Sequence, residues 1–508
     1  MDIIYINGEN LTIEQVREVA RNFKPVEIDP VCFKKIDESR KYVEKILSDG
    51  LPHYGINTGF GSFADVRISP QDLRQLQVNL VRSHSAGVGE PLRHDQIRAM
   101  MLLRANTLCR GHSGVRRSVI ETIIKMLNRR VHPVVPSRGS VGASGDLAPL
   151  AHIALVMIGE GKAEFGGEII DSSDALQQAG IEPVELLEKE GLALINGTQM
   201  MTGIGALALV DMADMLNVAD VIGAASAEVL LATDRSYLDI IQRARPHPGQ
   251  IKSAKNLMKC LEGSGVVASH KNCPKVQDAY SLRCIPAVHG AARETVDFAR
   301  RIINIEMNSS VDNPLIFADE NLIVSGGNFH GAPVALALES MSMGAVFIAN
   351  ISERRIERLL NYYYSGLPPF LAREGGLNSG YMIAQYAAAA LASENKVLSH
   401  PACSDTIPTS AGQEDYVSMG SISALKLLKI IDNTWHVLAV EAMCACEAME
   451  HRSPLKPGRG TSILYSKIRE AIPPLIKDRV TAEDINKALQ VIQHEGFTKS
   501  IAETIEIL

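Results

Sequence analysis

The chain has 508 residues, 46% of them hydrophobic, enough for a sizeable core and for two to four domains, or one large domain with appendages. Its net charge of −7, with both signs spread along the sequence, argues against a nucleic-acid-binding or anionic-membrane surface. The start, Met1-Asp-Ile-Ile-Tyr-Ile-Asn7, has no basic region followed by an apolar run, and Asp211, Asp214, Asp220 and Glu228 interrupt the longest apolar stretch. Neither a secretory signal nor a bilayer-spanning segment is expected, and a cytoplasmic location follows. The eight cysteines are scattered, which favours reduced, mostly buried thiols. Cys444-Ala-Cys446 has the wrong spacing for a zinc knuckle and no His-Glu-x-x-His occurs, so no metal is expected.

In chain order, Thr12 is placed to cap a first helix, and residues 30 to 49 continue with helical periodicity. Tyr54-Gly-Ile-Asn-Thr-Gly-Phe-Gly61 is a loop by its glycines and Asn57. A helix follows Ser69-Pro70 and runs to about His84; two more cover about 93–108 and 113–129. Residues 160–188 are less regular and offer the best place for a small β-element. From Asn196 onward, stretches at about 198–232, 276–308, 332–361, 380–398 and 412–450 keep apolar residues at helical spacing. Helices of such length, apolar on more than one side, pack inside a bundle or across subunits. The expected fold is mainly α, with a smaller N-terminal part at 1–195, a central long-helix bundle at 196–453 and a helical tail at 454–508.

Between the expected helix at about 113–129 and the β-element lies Gly139-Ser-Val-Gly-Ala-Ser-Gly-Asp-Leu-Ala-Pro-Leu-Ala-His152. The glycines permit backbone angles closed to other residues, and an apolar run from Leu147 to Ile158 reads as a buried helix. Ser144 and Asp146 are candidates to cap that helix, and Pro149 is tolerable in its first turn. By itself Ala143-Ser144-Gly145 reads as a tight turn before a capped helix.

The whole stretch, however, resembles the signature of the aromatic amino acid ammonia-lyases, the family acting on histidine, phenylalanine and tyrosine. The resemblance implies that Ala143-Ser144-Gly145 cyclises. The glycine amide attacks the alanine carbonyl and water is lost, giving 4-methylidene-imidazol-5-one (MIO) with no external cofactor. The chemistry needs a tightly folded backbone and the unhindered amide of a glycine; loss of the serine hydroxyl leaves an electrophile that no ordinary side chain supplies.

Further motifs occur in the family's order, over roughly residues 5 to 495. Tyr54 matches the family's loop-borne catalytic base, and to act as a phenolate it needs its reference pKa of about 10 lowered by a positive field. Ser83-His84 resembles the pair that meets the substrate side chain in histidine-specific members, although some bacterial tyrosine enzymes share it. Asn196, in Leu194-Ile-Asn-Gly-Thr-Gln199, otherwise an ordinary helix cap, is matched to a residue that bonds the MIO and the substrate carboxylate.

In Val276-Gln-Asp-Ala-Tyr-Ser-Leu-Arg-Cys284, Gln277, Tyr280 and Arg283 would share one helical face. An amide, a phenol and a guanidinium together are poor core material and suit an amino acid zwitterion, with Arg283 gripping its carboxylate. The family assigns Tyr280 to catalysis and Phe329, in Ser325-Gly-Gly-Asn-Phe-His-Gly331, to packing beside the MIO. Asp312-Asn-Pro-Leu315 also follows in order. Glu414 stands where histidine enzymes carry glutamate and phenylalanine or tyrosine enzymes usually glutamine; a carboxylate suits an imidazole N–H. Two departures accompany it: histidine enzymes usually read Ala-Asn-Gln-Glu-Asp-His here, whereas this chain has Gly412 and Tyr416.

The resemblance thus implies a helical lyase architecture of the fumarase and aspartase kind, assembled as a homotetramer whose sites combine residues of three subunits. The expected reaction is deamination of L-histidine to trans-urocanate and ammonia, the first step of histidine degradation. A tyrosine or phenylalanine lyase or 2,3-aminomutase with the same MIO is the near rival. The fumarase and argininosuccinate lyase group is discounted because its Gly-Ser-Ser-x-Met-Pro-x-Lys-x-Asn loop is missing, and an inactive helical scaffold because Ala-Ser-Gly is intact beside Tyr54, Tyr280 and Arg283.

Overall fold

Long amphipathic and all-apolar stretches become helices of matching length. In the computed structural model, which describes residues 3–49, 51–271, 273 and 275–505, these include Gln199–Val229, Ile285–Glu306, Ala332–Leu360, Met382–Leu398 and Gly420–Glu450. Helix Ile13–Asn22 starts at Thr12, whose side chain accepts from the Gln15 amide while the Gln15 side chain returns to the Thr12 backbone. Ala332–Leu360 is long and apolar enough by length and composition alone to cross a membrane. Most of it is buried, and a core helix passes the same test.

Two expected helices begin late, each for a local reason. Residues 275–279 are not helical; Tyr280–Arg283 forms a single turn, and the main helix starts at Ile285, with Pro286 in its first turn. The stretch from 412 stays irregular because Ser410, Ala411, Gly412 and Met419 all have positive φ, which no α-helix accommodates. Helices Asp239–Ala244 and Pro248–Leu261 were not anticipated.

The described chain divides into two compact units. The first comprises Met1–Val210, Ala299–Glu339 and Pro401–Leu425. Here helix His94–Leu108 packs against Ile13–Asn22 and Arg117–Asn128, and Leu73–His84 packs against Leu147–Met157 and Glu190–Ile195. The β-structure is small: Ile4–Ile6 runs parallel to Val26–Ile28, and Lys162–Phe165 lies between His132–Pro133 and Glu168–Asp171 in an antiparallel sheet. The last two strands fall in the irregular stretch where a β-element was expected.

The second unit comprises Asp211–Phe298, Ser340–His400 and Lys426–Leu508. Its helices enclose charged groups that are held in hydrogen-bonded clusters, which offsets part of the cost of burying them, although Arg355 Nη1 and His289 Nε2 have no partner among the described residues. Glu441 receives Arg355 Nε and Nη2 at 2.5 and 2.8 Å, with the Ser226 and Ser352 hydroxyls at 2.6 and 2.5 Å. Asp220 similarly receives His289, Arg293 and Asn256. Five of the eight cysteines are buried.

Candidate active site

The glycine-rich loop leaves strand Pro136–Arg138 and enters helix Leu147–Met157. Its conformation is set by contacts that only glycine allows. Gly142 and Gly145 have φ of +80° and +84°, and a Cβ on Gly145 would lie 2.2 Å from the Gly197 carbonyl oxygen. Ser144 itself is left-handed, with φ 49°. On either side of it the backbone is clamped: Gly197 N donates to Ser144 O at 3.1 Å, and Asp146 N donates to Gly197 O at 2.7 Å. The Ser140 hydroxyl reaches Gly145 O at 3.2 Å.

Asp146 does not cap its own helix with its side chain. Its Oδ2 accepts from the Met200 and Met201 amides at 2.8 and 3.0 Å, so it caps the long helix Gln199–Val229 instead, while Oδ1 accepts from the Ser421 hydroxyl at 2.7 Å. The loop is thereby tied to two other segments of the first unit.

A cavity of about 600 Å³ opens beside this loop and brings together Tyr54, His84, Ser144, Asn196 and Glu414, all within the first unit. Tyr54 is held by its own turn. Ile56 is buried in a cluster with Val43, Ile46 and Ile316, and the Asn57 side chain spans His53 N and Leu51 O at 2.6 and 2.7 Å. The Tyr54 hydroxyl accepts weakly from Gly61 N at 3.4 Å. Burial raises the phenol above its ordinary pKa; the Gly61 bond offsets this in part, and the Glu414 charge adds to it. The lowering field expected for Tyr54 is therefore not supplied by this cavity, whose lining contains no lysine or arginine among the described residues.

His84 ends helix Leu73–His84. Its Nδ1 donates to Leu80 O at 2.9 Å, which leaves Nε2 as the lone-pair nitrogen. Burial lowers its pKa, against that bond and the Glu414 charge, so the ring is neutral near pH 7. Glu414 Oε2 accepts from the Thr409 hydroxyl at 2.8 Å, and Oε1 from the Ser144 hydroxyl at 3.4 Å. Glu414 is the one carboxylate lining the cavity among the described residues.

Asn196 follows helix Glu190–Ile195 and does not cap the long helix. Its Nδ2 is directed at two acceptors, Asp312 Oδ1 at 3.3 Å and Asn313 O at 3.1 Å. Asp312 in turn pairs through Oδ2 with the fully buried Lys189 at 2.6 Å. This pair, and Thr409 beside Glu414, were not singled out from sequence. No local pattern marks a lysine that meets an aspartate from a distant segment.

The remaining predicted residues lie elsewhere. Phe329 is half-buried in the turn before helix Ala332–Leu360 and does not line the cavity. Nor does Tyr416, whose ring stacks on His330 at 5.8 Å. Gln277, Tyr280 and Arg283 belong to the second unit and are brought together without a shared helical face. The Arg283 guanidinium lies 4.5 Å from the Tyr280 ring centre and its Nη2 donates to Gln277 Oε1 at 3.2 Å. Tyr280 is 72% exposed.

One group of metal-ligating type occurs among the described residues: His94, His132 and Glu164, with donor atoms within 4.8 Å of one another. It does not line the cavity, and the Arg98 guanidinium, 3.5 Å from His132 Nε2, opposes a cation there.

A mainly helical chain presenting a glycine-clamped Ala-Ser-Gly beside a tyrosine, a histidine and a carboxylate has the outline of a helical lyase, and the comparisons agree. Residues 11–470 match the family model described as aromatic amino acid lyase, and the chain belongs to that family. It is 51% identical over 503 residues to a histidine ammonia-lyase of Caldanaerobacter subterraneus subsp. tengcongensis, covering 99% of each chain. It is also 51% identical to that of Gloeobacter violaceus, covering 97% of this chain and 96% of the relative. Among solved structures, histidine ammonia-lyase from Trypanosoma cruzi superposes with a TM-score of 0.92 at 41% identity, covering 99% of this chain and 96% of that one. A tyrosine aminomutase from Streptomyces globisporus gives 0.94 at 36% identity, with full coverage of both. Backbone shape alone therefore does not separate the substrates.

Proposed function

We propose that the protein deaminates L-histidine to trans-urocanate and ammonia without oxidation, as a cytoplasmic enzyme at the first step of histidine degradation. The observation that carries this reading is the placement of Glu414 and neutral His84 on the same cavity as Ser144. A carboxylate oxygen accepts an imidazole N–H, and His84 Nε2 offers a second acceptor; a phenyl ring gains nothing from either. The two relatives at 51% identity, both histidine ammonia-lyases, support it.

Ala143, Ser144 and Gly145 fit the precursor of an MIO. The Gly145 nitrogen is attached to a Cα without a side chain to block its approach, and the clamps on Ser144 O and Asp146 N hold the loop tightly turned. Once formed, that ring supplies the electrophile that activates the substrate for loss of ammonia. Tyr54 takes the β-proton. Asn196 helps hold the substrate carboxylate, which requires its Nδ2 to exchange Asp312 or Asn313 for the ligand, and Phe329, which does not line the cavity of its own chain, packs beside the ring of another copy.

Gln277, Tyr280 and Arg283 enter the cavity from a neighbouring copy in a homotetramer. The support is the exposure of Tyr280 and the lack of a lysine or arginine in the lining among the described residues. An incoming Arg283 would grip the substrate carboxylate and supply the positive field that Tyr54 requires.

The test is product identification after separate incubation with L-histidine, L-tyrosine and L-phenylalanine. Trans-urocanate and ammonia from histidine alone are expected. An unsaturated acid from either other substrate would assign the chain to that lyase, and a β-amino acid without net ammonia would assign it to an aminomutase.

A further inference from the structure

Glu414 has two carboxylate oxygens, and each has one side-chain donor among the described residues. Oε2 is held by the Thr409 hydroxyl at 2.8 Å. Oε1 is met by the Ser144 hydroxyl at 3.4 Å, a long and weak bond. The two donors have different fates. Thr409 is permanent, whereas ring formation removes the Ser144 hydroxyl as water, together with the serine Cα proton.

We propose that Thr409 is a positioning residue for specificity: it holds Glu414 by Oε2 so that maturation of Ser144 frees Oε1 alone as the acceptor for an imidazole N–H. This rests on the histidine reading above.

The backbone around Thr409 is built to hold that arrangement. Thr409 and Glu414 pair across a tight reversal, Thr409 N to Glu414 O at 2.9 Å and Glu414 N to Thr409 O at 3.3 Å. The reversal is made by Ser410, Ala411 and Gly412, three consecutive left-handed residues with φ of 49°, 53° and 87°. Such a run of unfavourable backbone persists only when surrounding bonds over-determine it. It places the Thr409 hydroxyl and the Glu414 side chain on the same side of the reversal, where they meet. A carboxylate on a long, freely rotating side chain loses rotamer entropy when it is fixed. Here that entropy is spent during folding, before the ligand arrives, which is the usual advantage of preorganisation.

The Ser144 hydroxyl also covers the second acceptor in the immature site, where Glu414 is half-buried. An unpaired carboxylate oxygen there is costly, and the Ser144 hydroxyl covers it until the ring forms. Afterwards the vacant position selects a ligand that brings its own donor, and a ligand with only an apolar ring leaves Oε1 unpaired.

The experiment uses Ser144→Ala, which lacks both the hydroxyl and the ring and should bind L-histidine without turning it over. Calorimetry on the full assembly gives the L-histidine Kd in this background, alone and combined with Thr409→Val, Thr409→Ser or Glu414→Gln. Thr409→Val is expected to weaken L-histidine binding by roughly tenfold. Thr409→Ser should return it to within about threefold of the parent. Binding of L-phenylalanine should not follow this order. If Glu414→Gln weakens L-histidine binding while Thr409→Val does not, the positioning role of Thr409 is overturned. If Glu414→Gln has no effect either, the histidine reading itself fails. If Thr409→Val weakens both amino acids equally, Thr409 only supports the loop, which also overturns the proposal.

Discussion

Gly145 lies so close to Gly197 that a β-carbon on it would fall 2.2 Å from the Gly197 carbonyl oxygen and 2.4 Å from its carbonyl carbon. The two glycines are linked twice, through Ser144 O and Asp146 N, across 52 residues of chain. The atoms in the way are backbone, so no rotamer change relieves the clash. Gly145→Ala is therefore expected to displace the loop and to block cyclisation. The mutant protein should retain helical circular dichroism, lose activity by at least about 1,000-fold and show an unmodified central peptide by mass.

Glu414→Gln tests the substrate reading and the base together. Removing a charged acceptor should cost about 1.5–3 kcal/mol, or roughly 10- to 150-fold in kcat/KM for L-histidine. The Glu414 charge raises the Tyr54 pKa, so its removal must lower it. The limb of the pH–rate profile that reports ionisation of Tyr54 should move to lower pH. Tyr54→Phe should abolish that limb and slow turnover by about 100- to 10,000-fold. A limb that moves upward in Glu414→Gln would contradict the assignment of Tyr54 as base.

Gly412 departs from the asparagine usual in histidine enzymes, yet the structure makes the two equivalent. Its φ is +87°, and a Cβ there would meet nothing within 4 Å. Asparagine is the residue that best tolerates this region after glycine. Gly412→Asn should leave kcat/KM within about threefold and stability within about 0.5 kcal/mol, whereas Gly412→Val should cost about 1–2 kcal/mol and disturb Glu414. Thermal melting and L-histidine kinetics of the two variants check this.

His152 sets an acid limit. Gly87 N donates to its Nε2 at 3.1 Å, so that nitrogen must be unprotonated in the folded state, and burial lowers its pKa. Above about pH 6.5 the ring is neutral in both folded and unfolded chains and contributes no pH dependence. As pH falls below that value the unfolded chain takes up a proton that the native ring refuses, and stability is lost. Urea midpoints should fall between pH 7.5 and 5.5, and His152→Gln, whose side-chain oxygen can still accept from Gly87, should flatten that fall.

The sequence was most informative where local physics decides. Apolar periodicity located the long helices, and Thr12 capped the helix it was placed to cap. It was least informative where distant segments decide. Asp146 reads as a cap for the helix that follows it, but residues 200 and 201 offer their amides from across the fold. Gln277, Tyr280 and Arg283 come together as expected, though by stacking and a side-chain bond, since Pro286 sets the helix start beyond them. The Tyr54, His84, Ser144 and Glu414 grouping was legible through motif order, while Thr409 and the Lys189–Asp312 pair were not, because threonine, lysine and aspartate carry no spacing signal.

If the chemistry resides in a ring built from Ala143, Ser144 and Gly145, that ring must be present in active protein. Mass spectrometry of the proteolytic peptide containing these residues, from active wild-type protein and from Ser144→Ala, tests it directly. The wild-type peptide should be lighter than its sequence by the two waters lost in ring closure and dehydration, the Ser144→Ala peptide should be unmodified, and only the wild type should deaminate L-histidine. A wild-type peptide of full sequence mass in a preparation that still deaminates L-histidine would contradict the ring chemistry.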